Sequence, residues 1–198
     1  MNLTWSRGDG RILTVLLGVA FAVETLGGVL VPALHVGGLI DLDSTRDVGV
    51  TGLANALAEG GNLSLSAAGA ATLTVADPSL GQRVLLDLPT VFHTLPILLG
   101  IYWVFLLARS LSAGEPFAPR NPGRLFGISI LIVVGSLGDS LLTALTTHKL
   151  VAGTPLEAHV PFAFHFPLLP LGVASVVGAL AHAFQIGVRL RADTEGLV

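Results

Sequence analysis

Four stretches of the chain are almost continuously apolar over a length that matches the thickness of a lipid bilayer. A helix of about 20 apolar residues spans the roughly 30 Å hydrocarbon core of a membrane. The hydrophobic pattern therefore predicts an all-α bundle of four transmembrane helices, which we number span 1 to span 4. They cover residues 12–34, 88–108, 125–146 and 166–188.

A different pattern lies between spans 1 and 2. Within residues 35–87, apolar and polar residues alternate in short runs that are separated by turn-forming residues. Such alternation is typical of antiparallel strands. It predicts a small β-sheet that packs on one end of the bundle and on residues 147–165, although residues 53–59 could form a helical turn instead. The predicted strands are 47–53, 63–66, 72–75 and 83–86.

The composition indicates that much of the surface faces lipid. Of the 198 residues, 52% are hydrophobic and 12% are charged, which is about half the charged fraction of a soluble domain. The absence of cysteine excludes disulfides, thiol nucleophiles and cysteine-ligated metals. A net charge of −3 argues against direct nucleic-acid binding. The sequence carries no phosphate-loop, dinucleotide or hydrolase signature, so we expect no enzyme activity, no cofactor and no metal.

The basic residues predict an orientation in the cell membrane, because Lys and Arg near helix ends are retained on the cytoplasmic side. Four crossings place residues 1–11, 109–124 and 189–198 on one side, and this side carries most of the ten Lys and Arg residues. Both termini are therefore predicted to be cytoplasmic, and the sheet is predicted to be extracytoplasmic. The remaining basic residues lie on the outer side: Arg46, Arg83 and Lys149.

Small residues recur along the spans and predict how the helices pack. Lipid supplies no hydrophobic force between helices, so association depends on close backbone approach and on interhelical hydrogen bonds. We interpret Gly135 of span 3 as part of a packing seam. Pro96 and Pro170 predict local kinks or a helix start. In span 4, four small residues at every fourth position predict a second packing seam: Ser175, Ala179, Ala183 and Gly187.

Three ionisable residues within the spans are candidates for a polar site: Glu24, His93 and Asp139. A charge in hydrocarbon is costly, so these side chains are expected to face the bundle interior. Together they could form a proton-linked or cation-binding site that is open to the outside. The favoured alternative is a polar clamp between helices, with both carboxylates neutral because no Lys or Arg is adjacent in sequence. The histidines lack the spacing of a helix-borne metal site, and those in the outer segments are interpreted as ordinary loop residues.

The loop after span 2 and the C-terminal tail carry a recognisable pattern. In the loop, a Gly-x-Pro-Phe element precedes an Asn and a basic-Leu pair, and in the tail a Phe-x-x-Gly-x-x-Leu element precedes acidic residues. This pattern resembles the bacterial domain-of-unknown-function (DUF) family 2975. The resemblance implies a four-helix membrane protein without assigned activity, often encoded near small helix-turn-helix regulators. The residues concerned are Gly114, Pro116, Phe117, Asn121, Arg124, Leu125, Phe184, Gly187, Leu190, Asp193 and Glu195.

Two functions remain open from the sequence. The preferred one is a regulatory or accessory membrane protein, whose outer sheet contacts a ligand or protein partner and whose inner loop and tail contact a cytoplasmic regulator or a larger membrane complex. The rival is a small proton- or cation-coupled transporter that uses Glu24, His93 and Asp139 and that would need to form a homo-oligomer. The loop could equally be a rigid hairpin. The predicted docking residues are Gly114, Pro116, Phe117, Asn121, Arg124, Arg189 and Arg191.

Overall fold

The computed structural model describes residues 7–50, 58–60, 63–68 and 70–195, and most of them are helical. The first long helix consists of α1 (Arg7–Thr25), a π-helical turn (Leu26–Leu30) and α2 (Val31–Val36). The other three are α3 (Leu80–Ser112), α4 (Asn121–Val151) and α5 (Leu168–Glu195). The strands are β1 (Thr45–Val48), β2 (Ala58–Gly60), β3 (Leu63–Ala68) and β4 (Ala70–Val75).

The four long helices are long and apolar enough to cross a membrane, and they correspond to the four predicted spans. Only 6% to 11% of the residues in their most apolar windows are buried by the protein itself. Large apolar side chains stay uncovered on every one of them, as Leu169 of α5 shows with 79% exposure. Contiguous apolar surface on this scale is unusual in a soluble monomer. This surface is consistent with a protein whose solvent is largely lipid.

The prediction of a strand at residues 83–86 is wrong, because these residues belong to the start of α3. A capping box begins this helix. The Gln82 amide donates to the Ser79 hydroxyl at 3.4 Å, and the Gln82 side-chain oxygen accepts from the Ser79 amide at 3.0 Å. A Ser-x-x-Gln element directly before an apolar run is a local helix-start signal, and here it outweighs the alternation of residues 83–86.

The chain divides into two compact units. Unit 1 comprises Met1–Leu26, Thr94–Ser136 and Pro167–Val198, and its described part consists of helices and the loop between α3 and α4. Unit 2 comprises Gly27–His93 and Leu137–Phe166. It contains the sheet, α2, the first turns of α3 and the last turns of α4.

In unit 1, α3 and α4 approach each other closely at two glycines. Gly127 lies so near the Trp103 ring that a Cβ atom at this position would overlap it. At Gly135, one of the predicted seam residues, a Cβ atom would come within 3.2 Å of Pro96. Pro96 lies within α3, whereas Pro170 lies in the first turn of α5, where proline is tolerated.

The face by which α5 packs on α4 differs from the predicted seam. The Ser129 hydroxyl of α4 donates a 2.7 Å hydrogen bond to the Ala174 carbonyl, and Gly178 lies against the same hydroxyl. A strict four-residue spacing drifts by about 40° per step around a helix, whereas the spacing of Ala174, Gly178 and the buried Ala181 alternates between four and three and stays on one face. Three predicted seam residues are consequently exposed: Ser175, Ala179 and Ala183.

Unit 2 contains a four-stranded antiparallel sheet in the order β1-β4-β3-β2. The predicted strands at 63–66 and 72–75 lie within β3 and β4. The predicted strand at 47–53 overlaps the end of β1, and its residues 51–53 lie outside the described residues. The alternative helical turn at 53–59 falls mostly outside them too, and its last two residues belong to β2.

One face of the sheet forms the core of unit 2. Along β4, every second residue is buried: Ala71, Leu73 and Val75. Thr72 and Thr74, which lie between them, are half-exposed. The buried face packs on the end of α4 and on a short 3-10 turn, Pro155–Ala158, so the sheet contacts the 147–165 segment that the sequence indicated. The core residues are Leu63, Ala71, Leu73, Val75, Leu150, Val151, Leu156 and Val160.

Candidate functional site

Arg46 of β1 joins the sheet to two helices. Alternation along β1 leaves Thr45 and Asp47 exposed and makes Arg46 half-buried. Its Nη1 donates to two threonine hydroxyls of α4, at 2.7 and 3.1 Å, and its Nη2 donates to two carbonyls of α3, at 2.9 and 2.7 Å. The guanidinium therefore holds β1, α3 and α4 together. Its four acceptors belong to Thr146, Thr147, Leu85 and Leu86.

Two carboxylates attract the charge of Arg46 without forming a direct ion pair with it among the described residues. Burial lowers the pKa of Arg46 from its ordinary value, and attraction to Asp87 and to Asp139 opposes that effect. Arginine keeps its proton far above neutral pH, so Arg46 is a half-buried cation whose desolvation cost is offset by hydrogen bonds and by attraction to these carboxylates. Asp139 thus has a basic neighbour in space, contrary to what its sequence neighbours suggested.

Asp87 also binds His35, a residue that the sequence analysis had not selected. The His35 Nδ1 and Asp87 Oδ2 atoms are 2.7 Å apart, and His35 is only 3% exposed. On the other side of the ring, the Ser44 hydroxyl lies 3.4 Å from His35 Nε2. Arg83 donates to the His35 carbonyl at 3.3 Å, at the C-terminal end of α2 where a cation is favourable. These contacts hold α2 against the start of α3.

The order of carboxylate, imidazole and hydroxyl in this cluster is also the order found in hydrolase triads. Because the cluster is buried, we do not interpret it as a catalytic triad. Ser44 is 8% exposed and its hydroxyl also lies 3.4 Å from the Leu42 carbonyl, as a donor to that oxygen. A separation of 3.4 Å between Ser44 and His35 is long for a hydrogen bond of this kind. We interpret the cluster as a buried polar contact that stabilises unit 2.

Two of the three ionisable residues selected from the spans come together. His93 of α3 and Asp139 of α4 both lie in unit 2, with 3.8 Å between His93 Nδ1 and Asp139 Oδ2. Their side chains are 51% and 36% exposed. The distance exceeds that of a direct hydrogen bond. Glu24 is half-buried and belongs to unit 1. Within the described ranges, no three His, Asp or Glu side chains are grouped closely enough to hold a metal ion.

The loop between α3 and α4 folds around a buried amide. Asn121 is 0% exposed, and its Nδ2 donates to the Ser110 hydroxyl at 2.6 Å and to the Pro116 carbonyl at 3.0 Å. Its Oδ1 accepts from Arg124 at 3.1 Å. Gly114 follows the end of α3 with a φ of +76°, which favours glycine. These predicted docking residues therefore stabilise the hairpin itself, which favours the rigid-hairpin alternative for them.

Phe117 connects this hairpin to α5. Its ring centroid lies 5.7 Å from that of Phe184, and its edge lies against Gly187, where a Cβ atom would overlap it. Gly187 is thus the member of the predicted span 4 seam that does make a close contact. The loop and tail elements of the recognised pattern meet through these three residues. The other two docking candidates, Arg189 and Arg191, are exposed on α5.

Comparisons with known proteins give no match. No family model, no curated protein and no solved structure is detectably similar to this chain. The resemblance of the loop and tail to DUF family 2975 therefore stays a prediction.

Proposed function

We propose that this chain is a multi-pass membrane protein of regulatory or accessory type, and that its sheet contacts a protein partner on the extracytoplasmic side. One observation carries the proposal: Arg46 hydrogen-bonds a strand of the sheet to both α3 and α4. A force on the sheet would act directly on two membrane-crossing helices. The same two helices are joined by the hairpin at residues 113–120.

The proposed orientation is supported by charge and polarity. Arg109, Arg120 and Arg124 lie in or beside the hairpin, and basic residues at helix ends favour the cytoplasmic side. The exposed residues of β1, Thr45 and Asp47, suit contact with water, and Asp47 accepts a 3.1 Å hydrogen bond from a threonine of β4. A polar sheet face that is accessible from outside the cell is the surface we assign to the partner.

A second function is favoured by the pair His93 and Asp139. Both groups can exchange protons, they are partly exposed, and they lie on two of the long helices. A small proton-coupled transporter would hold its proton between them. Proton flux in proteoliposomes that disappears in Asp139→Asn would support this function instead of the first one.

Photo-crosslinking in living cells tests the accessory function. A photoreactive amino acid replaces Thr45 or Gly49 on the exposed surface of unit 2, or Val176 on the apolar surface of α5 as the control. Gly49 has open space around its Cβ position, so the substitution should be tolerated there. We expect a discrete adduct with a different protein from Thr45 and Gly49 of unit 2 but not from Val176. Monomer alone, or an adduct of two copies of this chain, would contradict a separate partner.

A further inference from the structure

Arginines surround two adjoining depressions in unit 1. The first is a cleft of about 460 Å³ between the end of α3 and the hairpin, and the second is a groove of about 600 Å³ between α1 and α3. Arg109 lines both of them, so the two depressions adjoin at this residue. The polar lining of the cleft includes Arg109, Ser110, Glu115, Arg120 and Arg124, and the groove is lined by Arg11, Thr14, Val15, Phe105, Arg109 and Ser112.

The cleft offers cationic groups that the protein does not use internally. Arg109 and Arg120 are exposed, and neither side chain has an ion pair or hydrogen bond among the described residues. Arg124 is held in place through one nitrogen, Nη1, which donates to the Leu106 carbonyl at 3.2 Å and to Asn121 at 3.1 Å. Its orientation is thus fixed before any ligand arrives. Glu115 is the only acidic residue in the lining.

The chemistry of the two depressions differs in a way that specifies the ligand. Guanidinium groups bind phosphate oxygens through paired hydrogen bonds, and three arginines line the cleft. The adjoining groove exposes the apolar side chains Val15 and Phe105. A molecule that carries a phosphate and a hydrocarbon chain would fill both. A soluble phosphate compound would use only the cleft.

We propose that the cleft holds the phosphate of an anionic phospholipid, with one of its acyl chains in the groove between α1 and α3. The inference rests on the membrane placement in the proposed function, because the cleft then lies at the level of the cytoplasmic headgroups, where anionic lipids attract basic residues. It assigns Arg109 as the residue that contacts the phosphate beside the groove. Arg120 and Arg124 contact the phosphate from the hairpin.

Native mass spectrometry of the purified full chain in detergent tests this site. Phosphatidylglycerol, phosphatidylcholine with the same acyl chains, and inorganic phosphate are titrated separately. We expect phosphatidylglycerol to bind at least about tenfold more tightly than phosphatidylcholine, because phosphatidylcholine has the same phosphate but also a quaternary ammonium group, which the arginines of the cleft repel. Inorganic phosphate should displace phosphatidylglycerol only weakly. Equal affinity for the two lipids would overturn the proposal, and inorganic phosphate binding as tightly as phosphatidylglycerol would indicate a soluble phosphate ligand instead.

Charge variants separate a defined site from general attraction. Arg109→Gln should weaken phosphatidylglycerol binding about tenfold, and Glu115→Gln should strengthen it. Lys149→Gln removes one exposed positive charge from unit 2, outside the cleft, and should leave the affinity unchanged. Equal losses in Arg109→Gln and Lys149→Gln would overturn the proposal. The measurement needs no protein partner, so its outcome is independent of the crosslinking result.

Discussion

Replacing Arg46 with methionine is expected to destabilise the protein by about 3 kcal/mol, because four hydrogen bonds from a charged donor are lost together. The substitution leaves the hydroxyls of Thr146 and Thr147 and two carbonyls of α3 without their donor. It also removes the cation that attracts Asp87 and Asp139. Thermal unfolding in detergent, followed by circular dichroism, should show a melting temperature lower by about 10 °C.

Two further variants make the Arg46 result specific. Arg46→Lys keeps the charge but cannot supply the four N–H donors in the planar arrangement of a guanidinium, so its loss should be intermediate. Lys149→Met removes an exposed charge from the same unit and should melt within about 1 °C of the unmodified chain. If Arg46→Met melts at the same temperature as Lys149→Met, Arg46 does not stabilise the contact of the sheet with α3 and α4.

The second large effect is expected at Asp87. Asp87→Ala leaves the nearly buried His35 ring without its acceptor and removes one of the two anions near Arg46. We expect a loss of about 2 to 4 kcal/mol, because a buried polar group is left unpaired. The unfolding midpoint in a denaturant titration, at constant detergent concentration, measures it.

Asp139→Ala is the matched control, since it removes a second aspartate that interacts with Arg46 and with a histidine. Its partner His93 is 3.8 Å away and half-exposed, so the pair should contribute less than about 1 kcal/mol. A larger loss in Asp139→Ala than in Asp87→Ala would reverse the assigned roles, making the pair of His93 and Asp139 the structural contact. The double variant with His35→Ala should add little to Asp87→Ala, because both changes break the same interaction.

The helices and the central strands were predictable because their signals are local. An apolar run of membrane length specifies a helix by itself, and the alternation in β4 follows from one buried face. The start of α3 at Leu80 also had a local signal, the Ser79 capping box, which was overlooked in favour of a strand. The packing face of α5 was misplaced because a fixed spacing of four residues ignores the drift around a helix.

The polar contacts within unit 2, which involve Arg46, His35 and Asp87, could not be predicted in the same way. His93 and Asp139 stood out because ionisable residues are rare in apolar spans, and they do meet. Arg46, His35 and Asp87 lie outside the predicted spans, where charged residues are common, and no neighbouring residue marks them. Arg46 is covered only when β1 packs on α3 and α4, and His35 meets Asp87 only when α2 packs on α3. Burial of this kind is a tertiary property.

The most direct test of the membrane arrangement uses the absence of cysteine from the chain. Gly49→Cys places a thiol on the exposed surface of unit 2, and Ala113→Cys places one on the hairpin. Intact cells are treated with a membrane-impermeant maleimide, before and after permeabilisation. We expect Gly49→Cys to be labelled in intact cells and Ala113→Cys to be labelled only after permeabilisation. Labelling of Ala113→Cys in intact cells, or a chain that remains in the aqueous fraction without detergent, would contradict a four-helix membrane protein with its sheet outside the cell.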